Sequence, residues 1–538
     1  VTMSAENVKL NTGRGEKFFN FRPCLFIAFF ICLGILCARW FLENGVSFWW
    51  CASILALPPI LFVYFKNKRA FLVGVALALC FLVGFCSYSL KAKDFMNTTY
   101  YNSYDSTAYG RVIKKTDYGE QTRLVLVGVS IDGKEEKGGL VVTLPTSFCE
   151  NVRLSDYVFI RGRIKTETQL FGKNATFEEY FADDIRFNAY AEKLSVAGHK
   201  FDAFASAREL LQERLCQAMG KDSATVAFGI LTGDVSGIDD GLLDNVRRGG
   251  IAHIFAVSGL HIGSLYAVCV FLINKFKRLQ DKKIIRLILI AIVLLLYGGF
   301  CGYSESVVRA IVMCLIAYGS SLVGIKKDIV ESVSLSACLL LIVNPVSLFC
   351  VGFQLSFSAC YGIAFLGKPL QVFQERVYRK LLRRKEEYPI TYLRGERAKI
   401  FSFLSVTVGA QLFTAPILLS AYGYLSAWGL LLNAIFVPCV GFIFSLTLGC
   451  SFLACLLPSV LSSIILWLPN LLWTLALLIF QTLDFAIILQ NVTLSGLFTL
   501  CYYLILIVLS GKLNLKRTER AVILLILVLS CVCAYIIL

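Results

Sequence analysis

Apolar positions in this chain come in long unbroken runs, not in the alternating or three-in-seven rhythms of half-buried strands and surface helices. A helix crosses a bilayer with about 20 mostly apolar residues, because hydrocarbon offers no partner to a backbone N–H or C=O. Such runs fall at 23–41, 48–65 and 70–90, then at 251–273, 284–302, 306–323, 329–343, 349–366, 400–421, 427–456, 460–483, 494–510 and 521–538. They predict a polytopic α-helical membrane protein with about 13 transmembrane helices. The run at 329–343 is short, and prolines interrupt 427–483. The first run follows Arg14, Lys17 and Arg22 as a signal peptide would, but no small-residue cleavage site succeeds it, so it reads as a retained helix.

Between 90 and 201 the pattern changes to short strand-like stretches, AYGRVIKKT, TRLVLVGVSI, GLVVTLP and DYVFIRGRI, separated by DYGE and DGKEEKGG. These suit a small antiparallel barrel of the oligonucleotide-binding (OB) type, a pattern that other five-stranded domains share. The expected organisation is a cytoplasmic N-terminus at 1–22, three helices over 23–90 and an extracytoplasmic OB-like β domain over 91–200, inserted after the third helix. An amphipathic or interfacial segment follows at 201–250, and then a transmembrane domain over 251–538 with a basic cytoplasmic loop at 368–399.

Composition agrees with the membrane assignment: 57% of the 538 residues are apolar and 16% charged, too little polar surface for a water-soluble globule. The 52 basic against 36 acidic residues give +16, which suits either nucleic-acid contact or cytoplasmic loops under the positive-inside rule. Lys66, Lys68 and Arg69, then Lys275 to Lys283, Lys326 and Lys327, the loop 368–399, and Lys512 to Arg520 all fall on one side if the N-terminus is cytoplasmic. That topology makes this a multi-pass protein of the cytoplasmic (inner) membrane, with the β domain and Leu538 outside. Most of the 20 cysteines, such as Cys32, Cys80 and Cys338, stand in apolar runs where a thiol acts as a small hydrophobe. Cys149 is alone in the β domain and leaves a bridge to Cys216 open. Neither a zinc spacing nor a P-loop is present, so no metal, cofactor or ATPase activity of its own is expected.

Polar groups inside the apolar runs are the candidate chemistry, since each must face a bundle interior or a wet cavity. Inside one membrane helix over 251–273, His253 and His261 share a broad face, Ser258 can touch His261, and Gly259 with Gly263 forms a small-x-x-x-small pair. A sealed interhelical hydrogen-bond cluster and a pore lining both fit. Ser258 beside His261 also suggests a serine nucleophile, without an oxyanion-hole signature or a third orienting group. Arg309 either pairs with Glu305 four residues earlier or meets a phosphate backbone, and Gln354 and Ser356 are interhelical glue or substrate contacts. Arg161, Arg163 and Lys165 line one strand face, as a solvated surface or as possible phosphate contacts. Arg376, Arg379, Lys380, Arg383 and Arg384 recur at helical spacing; the positive-inside rule explains their sign, and a docking surface for a cytoplasmic motor is the alternative.

The stretch 227–268, AFGILTGDVSGIDDGLLDNVRRGGIAHIFAVSGLHIGSLYAV, resembles the competence domain of the ComEC family, bacterial inner-membrane channels for DNA uptake. The family's leucine-x-glycine-aspartate turn stands here as Leu231, Gly233 and Asp234, its paired basic segment as Arg247 and Arg248, and its His-x-x-x-x-Ser-Gly-x-His core as His253, Ser258, Gly259 and His261. Arg309 with Met313, Gln354 with Ser356, and Asn433 with Pro438 extend the likeness, and FGKNATFEEYFADDIRFNAY is similar to the segment closing the family's amino-terminal barrel. The resemblance implies a non-enzymatic channel passing single-stranded DNA into the cytoplasm during natural transformation. Its path residues would be Asp234, Arg247, Arg248, His253, Ser258, Gly259, His261, Arg309, Gln354, Ser356 and Asn433. Its partners would be single-stranded DNA, membrane lipid, a cytoplasmic ATPase motor and an extracytoplasmic DNA receptor. A small-anion secondary transporter and an intramembrane serine hydrolase are the alternatives; no internal repeat supports the former. Many members carry a further metallo-β-lactamase-type domain. With only His199, His253 and His261, this sequence has no His-x-His-x-Asp-His string for a dinuclear metal nuclease.

Overall fold

The computed structural model describes residues 22–44, 68–118, 120–149, 151–166, 175–255, 257–279, 282–322, 328–381, 396–426, 428–482, 487–490, 495–511 and 516–536. Helices α1 (Pro23–Glu43) and α2 (Lys68–Met96) cross in backbone contact. A Cβ on Gly34 would overlap the Phe81 carbonyl oxygen, and one on Gly84 that of Ile31, so only glycine permits this approach. Ile31, Ile35, Phe81 and Phe85 are buried around the crossing. The expected run at 48–65 lies outside the described residues.

The polar region forms six strands: β1 (Asn102–Tyr118), β2 (Gln121–Ile131), the short β3 (Lys134–Glu135), β4 (Gly139–Pro145), β5 (Asp156–Thr166) and β6 (Ile185–His199). β1 pairs with β2 and β5, β2 with β4, β4 with β6, and β6 with β5, so the ladder pairings return to their start; only β4–β6 is parallel. Alternation along β5 buries Val158, Ile160 and Ile164 and exposes Arg161, Arg163 and Lys165, as their spacing predicts. Cys149 is buried and Cys216 exposed, and both thiols are free, so the bridge left open by the sequence is not formed.

Helix α3 (Ala175–Ala182) ties these strands to the membrane part. Phe181 is fully buried, 4.8 Å from the Phe95 ring and 6.1 Å from Tyr88. Burying a side chain of that size contributes about 1.5–3 kcal/mol. Glu178 pairs with Arg39 of α1 at 2.7 Å, and the Ala182 carbonyl accepts from Lys91 Nζ at 3.2 Å and Asn344 Nδ2 at 3.0 Å.

The remaining helices are α4 (Ala203–Ala218), α5 (Lys221–Thr232), α6 (Asp240–Arg248), α7 (Gly259–Lys275), α8 (Lys283–Phe300), α9 (Glu305–Leu322), α10 (Ile329–Val343), α11 (Val351–Leu381), α12 (Glu396–Tyr422), α13 (Gly429–Leu456), α14 (Ser459–Thr482), α15 (Gly496–Leu509) and α16 (Arg517–Ile536). A small pair, β7 (Tyr424–Ser426) with β8 (Ile487–Gln490), follows α12. Within the stretch expected to be interfacial, α5 is buried from Ser223 through Thr232 apart from half-buried Thr225.

Among the described residues seven segments are long and apolar enough to cross a membrane, in place of about thirteen expected: Pro23–Glu43, Leu72–Met96, Lys283–Phe300, Glu305–Leu322, Lys399–Tyr422, Gly429–Leu456 and Ser459–Gln481. Three of the remaining runs fall short for local causes. Ser258 caps α7 and splits the run 251–273; Asn344 and Pro345 end α10; Ser495 caps α15, and each of these three helices stays shorter than a span. Helix α11 continues through Pro369 to Leu381, so the first part of the expected loop 368–399 is helix, with Arg379 paired to buried Glu375 at 3.0 Å. Arg383 and Arg384 lie outside the described residues.

Candidate functional site

The leucine-x-glycine-aspartate turn is the C-terminus of α5. Gly233 stands at φ +84°, a left-handed position glycine reaches without strain, and donates its N–H to Gly229. The Leu231 carbonyl, otherwise an orphan of the last turn, accepts from the Tyr297 hydroxyl at 2.8 Å and from Cys301 Sγ at 3.5 Å, both on the α8 end. Asp234 is exposed, and its Oδ1 accepts from the Ser236 N–H at 3.1 Å and hydroxyl at 2.6 Å, closing its own loop.

His253 does not share a helix with His261. It belongs to a single 3₁₀ turn, Ala252–Ile254, and is exposed, whereas α7 begins only after Ser258, whose own backbone is extended. Ser258 caps α7: its hydroxyl accepts from the Leu260 N–H at 3.3 Å, while His261 Nδ1 accepts from the Ser258 N–H at 3.0 Å. The serine-histidine pair is thus a helix cap. His261 Nδ1 lies 3.2 Å from Ser258 Oγ, but among the described residues its Nε2 meets no hydrogen-bond partner and so no orienting carboxylate. Among the described residues no helix packs against Gly259 or Gly263, since nothing lies within 4 Å of a Cβ built on either.

Fully buried His261 meets Phe444 of α13 edge-on, with centroids 4.5 Å apart, and Phe444 meets Tyr297 at 6.3 Å. A Cβ on Gly233 would touch Val257, just before the cap. Motif pieces scattered over 231–444 therefore converge on Tyr297 and Phe444.

A second contact joins the paired arginines to α13. Arg248 pairs with Asp244 at 2.8 Å, Arg247 is exposed, and Asn433 donates from Nδ2 to the Gly250 carbonyl at 3.4 Å. Arg309 belongs to a third cluster. It is 4% exposed, lies 3.5 Å from Glu305 and donates to the Gly352 carbonyl at 3.0 Å, while Ser347 donates to Glu305 at 3.1 Å. Gln354 donates to the Leu348 carbonyl at 3.0 Å, and Ser356 is half-buried. On β5, Arg161 grips Asp105 through two bonds of 2.5 and 2.6 Å, and Arg163 lies over the Tyr104 ring at 4.3 Å. The Arg161 guanidinium holds the Asp105 carboxyl below its ordinary value.

The competence protein family profile matches residues 230–515, more than half of the chain and all three helical clusters. The chain belongs to the competence protein family. It is 23% identical over 426 residues to ComE operon protein 3 of Bacillus subtilis (strain 168), an alignment covering 77% of this chain and 49% of that protein. This competence protein thus spans about half the length of the curated relative it matches. No solved structure matches it. The β5 arginines precede the matched segment.

Sequence reasoning overlooked Tyr297, Cys301 and Phe444, which hold the competence motif pieces together. A tyrosine in the run LLLYGGF was the available signal, because its hydroxyl requires a partner when buried.

Proposed function

We propose that this protein conducts single-stranded DNA across the cytoplasmic membrane during natural transformation, acting as a channel with no chemistry of its own. Family membership and the convergence of the α5 turn and the α7 cap on Tyr297 and Phe444 support this. A motif fixed by tertiary contacts inside a helical bundle suits a path wall, which must hold its polar groups in place while hydrocarbon is excluded. Arg247, His253 and Arg309 are the cations or donors offered to a polyanion, with Asp234, Arg248, Ser258, Gly259, His261, Gln354, Ser356 and Asn433 shaping that wall. The charge bias supports a cytoplasmic N-terminus and an external β domain, and the closed pairing of five long strands supports an OB-type barrel there. Energy would come from a cytoplasmic ATPase motor, and DNA from an extracytoplasmic receptor.

The test is deletion of the gene followed by measurement of internalised labelled DNA, with Arg247→Gln and Arg309→Gln expressed in the deleted strain. Uptake is expected to vanish on deletion and to fall with each replacement. Undiminished uptake after deletion defeats the proposal.

A further inference from the structure

The paired-arginine turn is locked against the end of α12 and the start of α13 more tightly than a passive loop requires. Gly250 stands at φ +71°, and a Cβ there would lie 3.0 Å from the Ser426 Cβ and 3.1 Å from the Gly429 Cα. The lock brings the arginine-bearing turn against the segment that follows α12. Arg247 is exposed and has no ion pair among the described residues, Asp244 being engaged by Arg248. Gly250 donates its N–H to the Arg247 carbonyl at 2.9 Å and meets Ser426, two residues after Tyr424, so the turn that carries Arg247 is seated on the segment that carries Tyr422 and Tyr424. The two rings are 6.4 Å apart with their planes at 49°, and Tyr422 is 57% exposed.

Resting on the uptake reading above, we propose that Arg247, Tyr422 and Tyr424 form a docking site for single-stranded nucleic acid. The phenols stack on bases and the guanidinium meets a phosphate. Base-on-aromatic stacking is indifferent to sequence, as a strand-passing protein requires, and an unpaired arginine supplies the complementary charge. Tyrosines at helix ends also settle among lipid headgroups. That use calls for no arginine-bearing turn seated on their segment through a left-handed glycine.

The experiment uses the full chain in lipid nanodiscs and fluorescein-labelled oligo-dT, with binding read by anisotropy across a salt series. Tyr422→Leu and Tyr424→Leu are each expected to weaken binding by on the order of 5- to 150-fold, with Tyr→Phe at either position restoring it. Arg247→Gln is expected to weaken binding and to flatten the salt slope by about 0.7. Photocrosslinking of a 5-iodouracil oligonucleotide to the unmutated chain, mapped by mass spectrometry, keeps the test independent of variant folding: adducts are expected on Tyr422 or Tyr424. Leucine variants that bind as the unmutated chain does, adducts confined to other residues, or an unmutated chain that binds no oligonucleotide would each overturn the site. Any of those results alongside uptake that still depends on the gene sinks the docking site and leaves the channel standing.

Discussion

Replacing Gly250 by alanine separates two costs that usually come together. At φ +71° an L side chain is strained by roughly 1–2 kcal/mol. Its Cβ would also press on Ser426 and on the Gly429 backbone at 3.0 and 3.1 Å, so the first turn of α13 must give way. Overpacking of that kind costs about 1–3 kcal/mol. Gly423, at the other end of β7, stands at φ +73° with nothing within 4 Å of a built Cβ. Gly423→Ala therefore carries the backbone cost alone. The difference between the two variants is the steric part, on the order of 5- to 150-fold in the unfolding equilibrium. Unfolding in detergent is followed with a thiol-reactive dye, after blocking the exposed Cys216 and Cys439, so that buried Cys269, Cys301 and Cys501 report the loss of structure. Gly250→Ala should unfold well before Gly423→Ala. Equal midpoints would mean that the arginine turn is not seated against α13, and the connection between those two motif pieces would be lost.

Tyr297→Phe removes the main donor to the Leu231 carbonyl, at a cost of about 1–3 kcal/mol for a buried acceptor left short; a lower unfolding midpoint and reduced DNA uptake are expected, and an unchanged midpoint would argue against that contact. Glu305→Gln strips buried Arg309 of its carboxylate and should destabilise the chain by about 3–5 kcal/mol, whereas the double variant with Arg309→Met recovers most of that loss; if the recovered protein also takes up DNA normally, Arg309 is structural. Because Arg161 depresses the Asp105 carboxyl, their pairing holds above that lowered value and is lost as pH falls through it. Asp105→Asn frees Arg161 at neutral pH, so oligonucleotide binding that involves the β5 face should tighten and grow more salt-sensitive, as a titration at several ionic strengths will show. Gly84→Ala must force α1 from α2 and lower the unfolding midpoint, while Gly367→Ala, with nothing within 4 Å of its built Cβ, should not.

What hydropathy can see, it located well. The run 284–302 became Lys283–Phe300, and GLVVTLP is β4 to the residue, because uninterrupted apolar stretches bounded by charge or turn residues have one stable use. It failed where a local hydrogen bond outranks average apolarity. The run 251–273 looks continuous, yet Ser258 and His261 cap a helix between them, and the chain before the cap is not part of α7. β6 escaped notice because its second half, from Glu192, carries no alternation and is largely exposed. The Arg309–Glu305 pair was legible from its spacing, but the Gly352 carbonyl that also holds Arg309 comes from another helix. Likewise Tyr297 finds its acceptor 66 residues away, a distance over which sequence pattern is silent.

Helix α3 has a consequence for anyone who builds hybrids of such proteins. With Phe181 sunk beside Tyr88 and Phe95 and Glu178 clasped by Arg39, the strand domain is keyed into the helices it adjoins instead of swinging from a tether. The strands are thereby held at one fixed azimuth of the bundle. A graft cut at the borders of the strands would bring a key without its lock, so the transferable unit is the strands together with α3 and the matching faces of α1 and α2.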